Sequence, residues 1–391
     1  MLMILLVTIL LLAAALSFLV LREVRQKNMH IWLGSYLKGR KKTDPGSKPV
    51  HILFAFCDHF EPGWHNANLE VQTKRVDRWC IEYPELARRH RDADGCFPKH
   101  SFFYPEEEYE QSHLEKLADL CSEGFGEIEI HLHHDNDTAD GLRSKLHGFL
   151  KVLDEKHHAV PRNPETGAYQ FAFIHGNWTL DNSGENGRHC GVNNELAVLA
   201  EVGCYADFTL PSAPSSTQTR KINSIYYARG RDGHSKSHDD GVDVEAGNPG
   251  TGDLVMIQGP LALNWKNRKF GVLPRIENAD IRASSPPTTD RIDLWVKTAI
   301  HVKNRPEWRF IKVHTHGTQE GDIDTLLGEP VDSMFQYLES RYNDGKNFIL
   351  HYVSAREMYN IAKAAEAGET GDPGNYRDYE IPRPSLLGTG D

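Results

Sequence analysis

The chain has 391 residues, 39% hydrophobic and 25% charged, a globular composition that excludes a disordered protein and leaves room for one large domain or two ordinary ones. Its net charge of −11 is unevenly spread: residues 22–42 carry seven Lys/Arg against one Glu, a net +6, and everything after residue 42 sums to −17. An acidic main body argues against nucleic acid as a partner, because phosphate binding needs basic surface.

Residues 1–21 are apolar apart from Thr8 and Ser17 and carry no charge. As a helix they would span about 30 Å, one hydrocarbon core, and no basic segment precedes them as in a signal peptide. The expectation is a single transmembrane anchor through residues 1–21. Arg22, Arg25, Lys27, Lys38, Arg40, Lys41 and Lys42 all follow it, which by the positive-inside rule puts the main body at the cytoplasmic face of the membrane. Residues 22–48 then read as a basic juxtamembrane linker. None of the six cysteines forms a CxxC pair, so a zinc ribbon is not expected.

Apolar strand-length runs next alternate with helix-period segments. Val50–Phe56 reads as a strand. Val76, Trp79, Cys80 and Tyr83 mark a helix that Pro84 ends or kinks. Strands at His100–Tyr104, Glu127–His133 and Gln170–His175 are separated by helices carrying Leu114, Leu117 and Cys121, then Leu142, Leu146, Phe149 and Leu153. A helix over Asn194–Glu201 precedes strands at Ala206–Leu210, Ile225–Ala228 and Leu254–Gln258. Residues 229–253 form a surface loop. A helix around Trp295, a strand at Trp308–His316, a helix around Leu338, a strand at Phe348–Val353 and a helix over 355–366 complete the body. Residues 367–391 read as a polar tail. Such β-α alternation implies a parallel sheet with helices outside it. The fold expected for residues 49–366 is α/β, a distorted (β/α) barrel of about seven parallel strands, preceded by one transmembrane helix.

Three segments carry the chemistry. In Glu127-Ile-Glu-Ile-His-Leu-His133, alternation places Glu127, Glu129, His131 and His133 on one face and the apolar residues on the other. The polar face points into a barrel, with the histidines at the C-terminal end where parallel barrels hold their active sites. Asp135 follows, and two imidazoles with a carboxylate suit zinc or a similar divalent ion. In Trp308–Gly317, Phe310, Lys312, His314 and His316 share a face, so a second histidine pair ends a strand. In Phe54–Pro62 a strand runs into Asp58, His59 and Glu61. One carboxylate there can bind a metal, and another can take a proton from water. A fourth segment, Phe173–Asp181, offers Trp178 as a stacking face for a sugar ring and Asp181 to orient a histidine.

The order of these pieces resembles the polysaccharide deacetylases with a NodB-like domain, over residues 50–353. Phe56-Cys-Asp-His-Phe-Glu61 stands where that family has an Asp pair. Glu129-Ile-His-Leu-His-His-Asp135 stands where it has a His-x-x-x-His motif, and Val313-His-Thr-His316 where it has a Leu-His strand end. The family's Arg-Pro segment is matched only in position, by His175-Gly-Asn-Trp178. The resemblance implies a barrel binding one divalent metal ion, usually zinc, and removal of N-acetyl groups from an amino sugar or polysaccharide. On it, Asp58 and His131 with either His133 or Asp135 hold the metal. Glu61 is the base, His316 or His314 protonates the leaving amine, and Trp178 with His314 meets the carbohydrate substrate. A catalytically silent carbohydrate-binding barrel tethered to the membrane, and a metallohydrolase acting on another amide or ester, are the alternatives.

Overall fold

A computed structural model describes residues 1–39, 45–46, 48–231 and 233–386, except the side chains of residues 2, 12, 13, 15 and 16. The strands are β1 (Val50–His59), β2 (His100–Pro105), β3 (Gly126–Leu132), β4 (Phe171–His175), β5 (Cys204–Asp207), β6 (Ile225–Ala228), β7 (Val242–Asp243), β8 (Leu254–Ile257), β9 (Ala262–Lys269), β10 (Leu273–Glu277), β11 (Trp308–Thr315) and β12 (Phe348–Tyr352). The helices are α1 (Leu2–Gln26), α2 (Met29–Lys38), α3 (Leu69–Ala87), α4 (Gln111–Ser122), α5 (Ala139–His157), α6 (Glu195–Val202), α7 (Thr289–Thr298), α8 (Glu320–Leu326), α9 (Glu329–Tyr342) and α10 (Ala355–Ala367).

Ten strands form one sheet in the order β11-β1-β2-β3-β4-β5-β8-β6-β7, with β12 also on β1. All pairings from β11 to β8, and β12 with β1, are parallel, whereas β6 is antiparallel to β8 and to β7. β11 runs along β1 from His51 to Asp58. The other edge of β1 is shared: β12 pairs with Val50–Phe54 and β2 with Phe56–His59. β9 and β10 make a separate hairpin, which periodicity does not reveal.

The expected barrel is therefore not closed. Among the described residues no ladder joins β11 to the far edge, because β6 is inserted antiparallel beyond β8 and the two-residue β7 ends the sheet. The segment after β8 still approaches β11. At Gly259 a Cβ would stand 2.4 Å from the Lys312 carbonyl oxygen, so only glycine allows that approach.

The sheet is buried on both faces, as parallel sheets are. Phe54, Phe56, Phe102, Ile128, Ile130, Phe173, Ile311 and Val313 pack with the surrounding helices in the larger core. Leu53, Ala55, Cys57, Phe103, Ala172, Ile174 and Phe310 line the opposite, inner face with residues of α10. Local signals fix the helix starts. Asn68 accepts from the Val71 N–H ahead of α3, and Thr138 accepts from the Gly141 N–H ahead of α5. Ser354 and Glu357 form a reciprocal capping box at α10. Pro84 lies inside α3, which continues to Ala87 instead of ending there.

One further expectation finds no support and two are corrected. The N-terminal segment is helical, but among the described residues no helix is long and apolar enough to cross a membrane, so the transmembrane anchor is not supported. The linker contains α2, whose Trp32 is fully buried against Ala213, Ile222, Leu261 and Leu263. The polar tail is docked as far as it is described: Ile381 is buried, and Arg377 pairs with Glu357, Asp92 and Asp94. Residues 387–391 lie outside the described residues.

Candidate metal centre

Alternation along β3 builds a buried polar row on the inner face. Glu127, at its base, accepts from Arg356 Nη2 at 2.7 Å and from Ser354 Oγ at 2.7 Å. Glu129 accepts from the Ala172 N–H at 2.6 Å and from the Tyr205 hydroxyl. Burial outweighs those bonds and raises the Glu129 carboxyl to about 8. His131 follows, fully buried, and His133 ends the row half-exposed at the rim.

His131 is oriented by the sheet. Its Nδ1 lies 2.8 Å from the Ile174 carbonyl oxygen, which can only accept, so Nδ1 carries the proton. Nε2 is thereby left to face Glu61 Oε1 at 3.2 Å. Glu61 sits just past β1, held by the Thr318 hydroxyl, which donates to its carbonyl at 2.6 Å. His133 Nε2 stands 3.1 Å from the same Oε1, and His133 Nδ1 lies 2.6 Å from Glu107 Oε1. Glu61 Oε2 is buried without a hydrogen-bond partner. Burial pushes the Glu61 carboxyl up, but the His131 and His133 rings outweigh it and hold the group well below the usual carboxylate range. Burial likewise pulls His133 down, and the Glu107 and Glu61 carboxylates override it, raising the ring to about 10.

His59, the last residue of β1, completes the centre. Its ring packs edge-on against His131 at 4.9 Å and stacks on His316 at 4.6 Å and 25°. Ligand atoms of His59, Glu61 and His131 all lie within 4.8 Å of one another, and all three residues are buried. Two imidazole nitrogens and a carboxylate, with one carboxylate oxygen unpaired, fit a zinc-like divalent ion. Burial, followed by His316 and His131, keeps His59 well below the ordinary histidine range, so it is neutral and able to ligate. Burial also lowers His316, with Glu61 and Asp280 opposing.

The sequence-predicted residues divide. Glu61, His131 and His133 come together, with Glu61 Oε1 facing both histidine rings. Asp58 does not join them. It lies on the helix face of β1 with Phe54 and Phe56, where Oδ2 meets His100 Nε2 at 2.8 Å and Oδ1 accepts from the Gly317 N–H at 2.6 Å. Asp135 is exposed and accepts from the His189 N–H at 2.5 Å, so of the two candidates for the place beside His131 it is His133 that faces Glu61. His314 is 2% exposed with Nδ1 unpartnered, and its ring lies 6.3 Å from that of His59. Trp178 is at the rim, 5.9 Å from His59 and 5.8 Å from His316, with a buried, unpartnered indole N–H.

Two residues were missed. The alternation that reads β3 also reads β1: Leu53, Ala55 and Cys57 face inward, so His59 faces inward and Asp58 outward. Trp64, whose ring is 6.5 Å from His316, flanks the centre and carries no periodic signal. Cavities of about 1030 and 870 Å³ lie elsewhere, around Trp265 beside α2 and α1. No protein-family model matches the chain, and no curated protein matches it.

Proposed function

We propose that the chain is a metal-dependent hydrolase that cleaves an amide, the N-acetyl group of an amino sugar or polysaccharide, with zinc as the metal. The observation that carries this reading is the convergence of His59, Glu61 and His131 at the C-terminal ends of the parallel strands β1 and β3, which flank β2, beside two rim tryptophans.

His59, Glu61 and His131 would hold the ion. When bound, such an ion supplies Lewis-acid polarisation of a carbonyl and a lower pKa for water. The chain's own groups do the rest. The Ile174 carbonyl fixes the tautomer of His131 and aims its Nε2. His133, held protonated by Glu107, pins Glu61 Oε1 and so positions the carboxylate. His316 is neutral near pH 7 and is the proton carrier. It takes a proton from the attacking water as the C–O bond forms and delivers it to the nitrogen as the C–N bond breaks. Asp280, which favours the charged form of His316, supports the cation while it lasts. Trp178 and Trp64 offer apolar faces to a sugar ring, which binds in line with His316.

The experiment is acetate release from N-acetylglucosamine oligomers by the purified full chain. Release that chelation abolishes and zinc restores is expected. No release at any metal loading would contradict the deacetylase reading.

A further inference from the structure

A second buried cluster lies on the helix side of the same rim. It draws on four separate segments: His134 from the exit of β3, His175 from the end of β4, Cys190 from the loop before α6, and Glu195 from the first turn of α6. All four are buried, and one ligand atom from each lies within 4.8 Å of the others.

Hydrogen bonding decides what the cluster lacks. His134 Nδ1 lies 3.1 Å from Asp137 Oδ2, and His175 Nδ1 lies 2.5 Å from the Gly176 carbonyl oxygen. Both partners accept, so each neutral ring carries its proton on Nδ1 and leaves Nε2 bare. The two bare nitrogens nevertheless face each other at 2.9 Å, and Glu195 Oε1 stands 3.0 Å from one and 3.3 Å from the other. Cys190 Sγ is 3.4 Å from Glu195 Oε2. Lone pairs that crowd together without hydrogens repel, and a cation between them removes the repulsion. Ligand atoms around a tetrahedral zinc with bonds of about 2.0–2.3 Å stand roughly 3.3–3.8 Å apart, so the pocket needs only a small expansion to hold one.

We propose that His134, His175, Cys190 and Glu195 form a second, structural metal site for a zinc-class divalent ion, with Cys190 as thiolate. The four ligands close the coordination sphere, leaving no open position for a substrate, as in structural zinc sites. The site fastens the turn that carries Trp178. Glu195 Oε2 also accepts from the Asp181 N–H at 2.6 Å, and Asp181 Oδ2 from the Ser237 N–H at 2.6 Å. Between His175 and Asn182, Asn177, Trp178, Asp181 and Asn182 all have positive φ, a conformation that persists only when its surroundings impose it. Backbone at Gly176 also packs on His133, where a Cβ would fall 2.3 Å from the ring. The second ion thus sits under the rim of the first site without sharing a ligand with it.

Cobalt(II) loading of the full-length chain tests this, with metal content and the absorption spectrum as readouts. The expected result is a thiolate-to-cobalt charge-transfer band in the wild-type chain. That band is lost in Cys190→Ala with one equivalent of metal, and kept in His131→Ala, which empties only the first site. If the hydrolase reading fails and the first site binds nothing, the wild-type band and its loss in Cys190→Ala still stand. A wild-type chain that binds cobalt with no thiolate band, or binds none, overturns the proposal and leaves a proton shared by His134, His175 and Glu195. The wild-type spectrum decides even if Cys190→Ala does not fold.

Discussion

Glu61 Oε1 stands 3.2 Å from His131 Nε2, and the other nitrogen of that ring is already bonded to the Ile174 carbonyl. The contact therefore pairs a carboxylate with a ring nitrogen whose lone pair is free whenever the ring is neutral. Either a proton or a metal ion must lie between them. The first prediction follows from choosing the ion. Glu61→Gln and His59→Ala each lower the metal content of the full chain by close to one equivalent, whereas Asp135→Ala leaves it unchanged. Elemental analysis after dialysis reads all three, and metal loss in Asp135→Ala would restore the ligand set suggested by the family motif.

His316 is placed on the ring of His59 and is half-buried at the rim. Replacing it with Ala removes the proton carrier but no ligand. The expected outcome is a fall in turnover of about 10²–10⁴-fold, the range typical of a lost general acid–base group, with metal content unchanged. Wild-type turnover in that variant would remove His316 from the reaction.

Asp58 does its work on the other face of β1. Its carboxylate accepts from the Gly317 N–H, and the Gly317 carbonyl in turn accepts from the Trp79 indole at 2.8 Å. A Cβ on Gly317 would stand 2.0 Å from Asp58 Oδ2 and 2.7 Å from the Trp79 ring. Gly317→Ala is expected to cost about 2–3 kcal/mol through forced displacement in a packed site. Asp58→Asn, which keeps the shape but loses a charge-assisted bond, is expected to cost about 1–3 kcal/mol. Urea denaturation measures both, and stability within a few tenths of a kcal/mol of wild type would show that this turn is not held by Asp58.

The base of the inner face depends on one ion pair. Arg356 and Glu127 are both buried and meet at 2.7 Å. Arg356→Met leaves Glu127 without its cation and Asp378 without a donor, and takes from the Ile381 carbonyl one of its two donors. The expected loss is about 3–5 kcal/mol, and a loss below 1 kcal/mol would contradict the pairing.

At the opposite end of β1, His51 stacks on His351 with Nδ1 2.9 Å from its Nε2. Burial and the neighbouring His351 lower His51 to about 4, although Asp372, Asp94 and Glu307 pull the other way. The unfolded chain takes up this proton near pH 6.5, so between about 6.5 and 4 it binds a proton that the folded chain refuses. The stability present above pH 6.5 is lost as the pH falls through that window. His51→Phe removes this contribution, and its denaturation midpoint should change less between pH 7 and pH 4.5 than that of wild type. An unchanged pH dependence would contradict the assignment.

Much of the fold was legible because alternation and helical spacing are local. The inward row Glu127, Glu129, His131 and His133 and the face shared by Phe310, Lys312, His314 and His316 follow from strand geometry alone. Sheet closure was not legible, since it depends on β6 pairing antiparallel with β8 across 25 residues of aperiodic loop. Burial of Trp32 and docking of Ile381 were hidden for the same reason: isolated apolar residues in polar segments gain meaning only from distant partners. At the site, the family motif favours Asp58 with either His133 or Asp135, and His59 was missed although the alternation of Ala55 and Cys57 continues to it. The structure follows the alternation. The second cluster shows no pattern in sequence, because its four residues are brought together only by the β3 and β4 exits meeting α6.

An ion between His59, Glu61 and His131 underlies every step of the proposed reaction. Anomalous diffraction at the zinc edge from crystals of the zinc-loaded full chain tests it most directly. A peak is expected within bonding distance of a ring nitrogen of His59, His131 Nε2 and a carboxylate oxygen of Glu61. A peak at Asp58 or Asp135, or none at the C-terminal ends of β1 and β3, would contradict it.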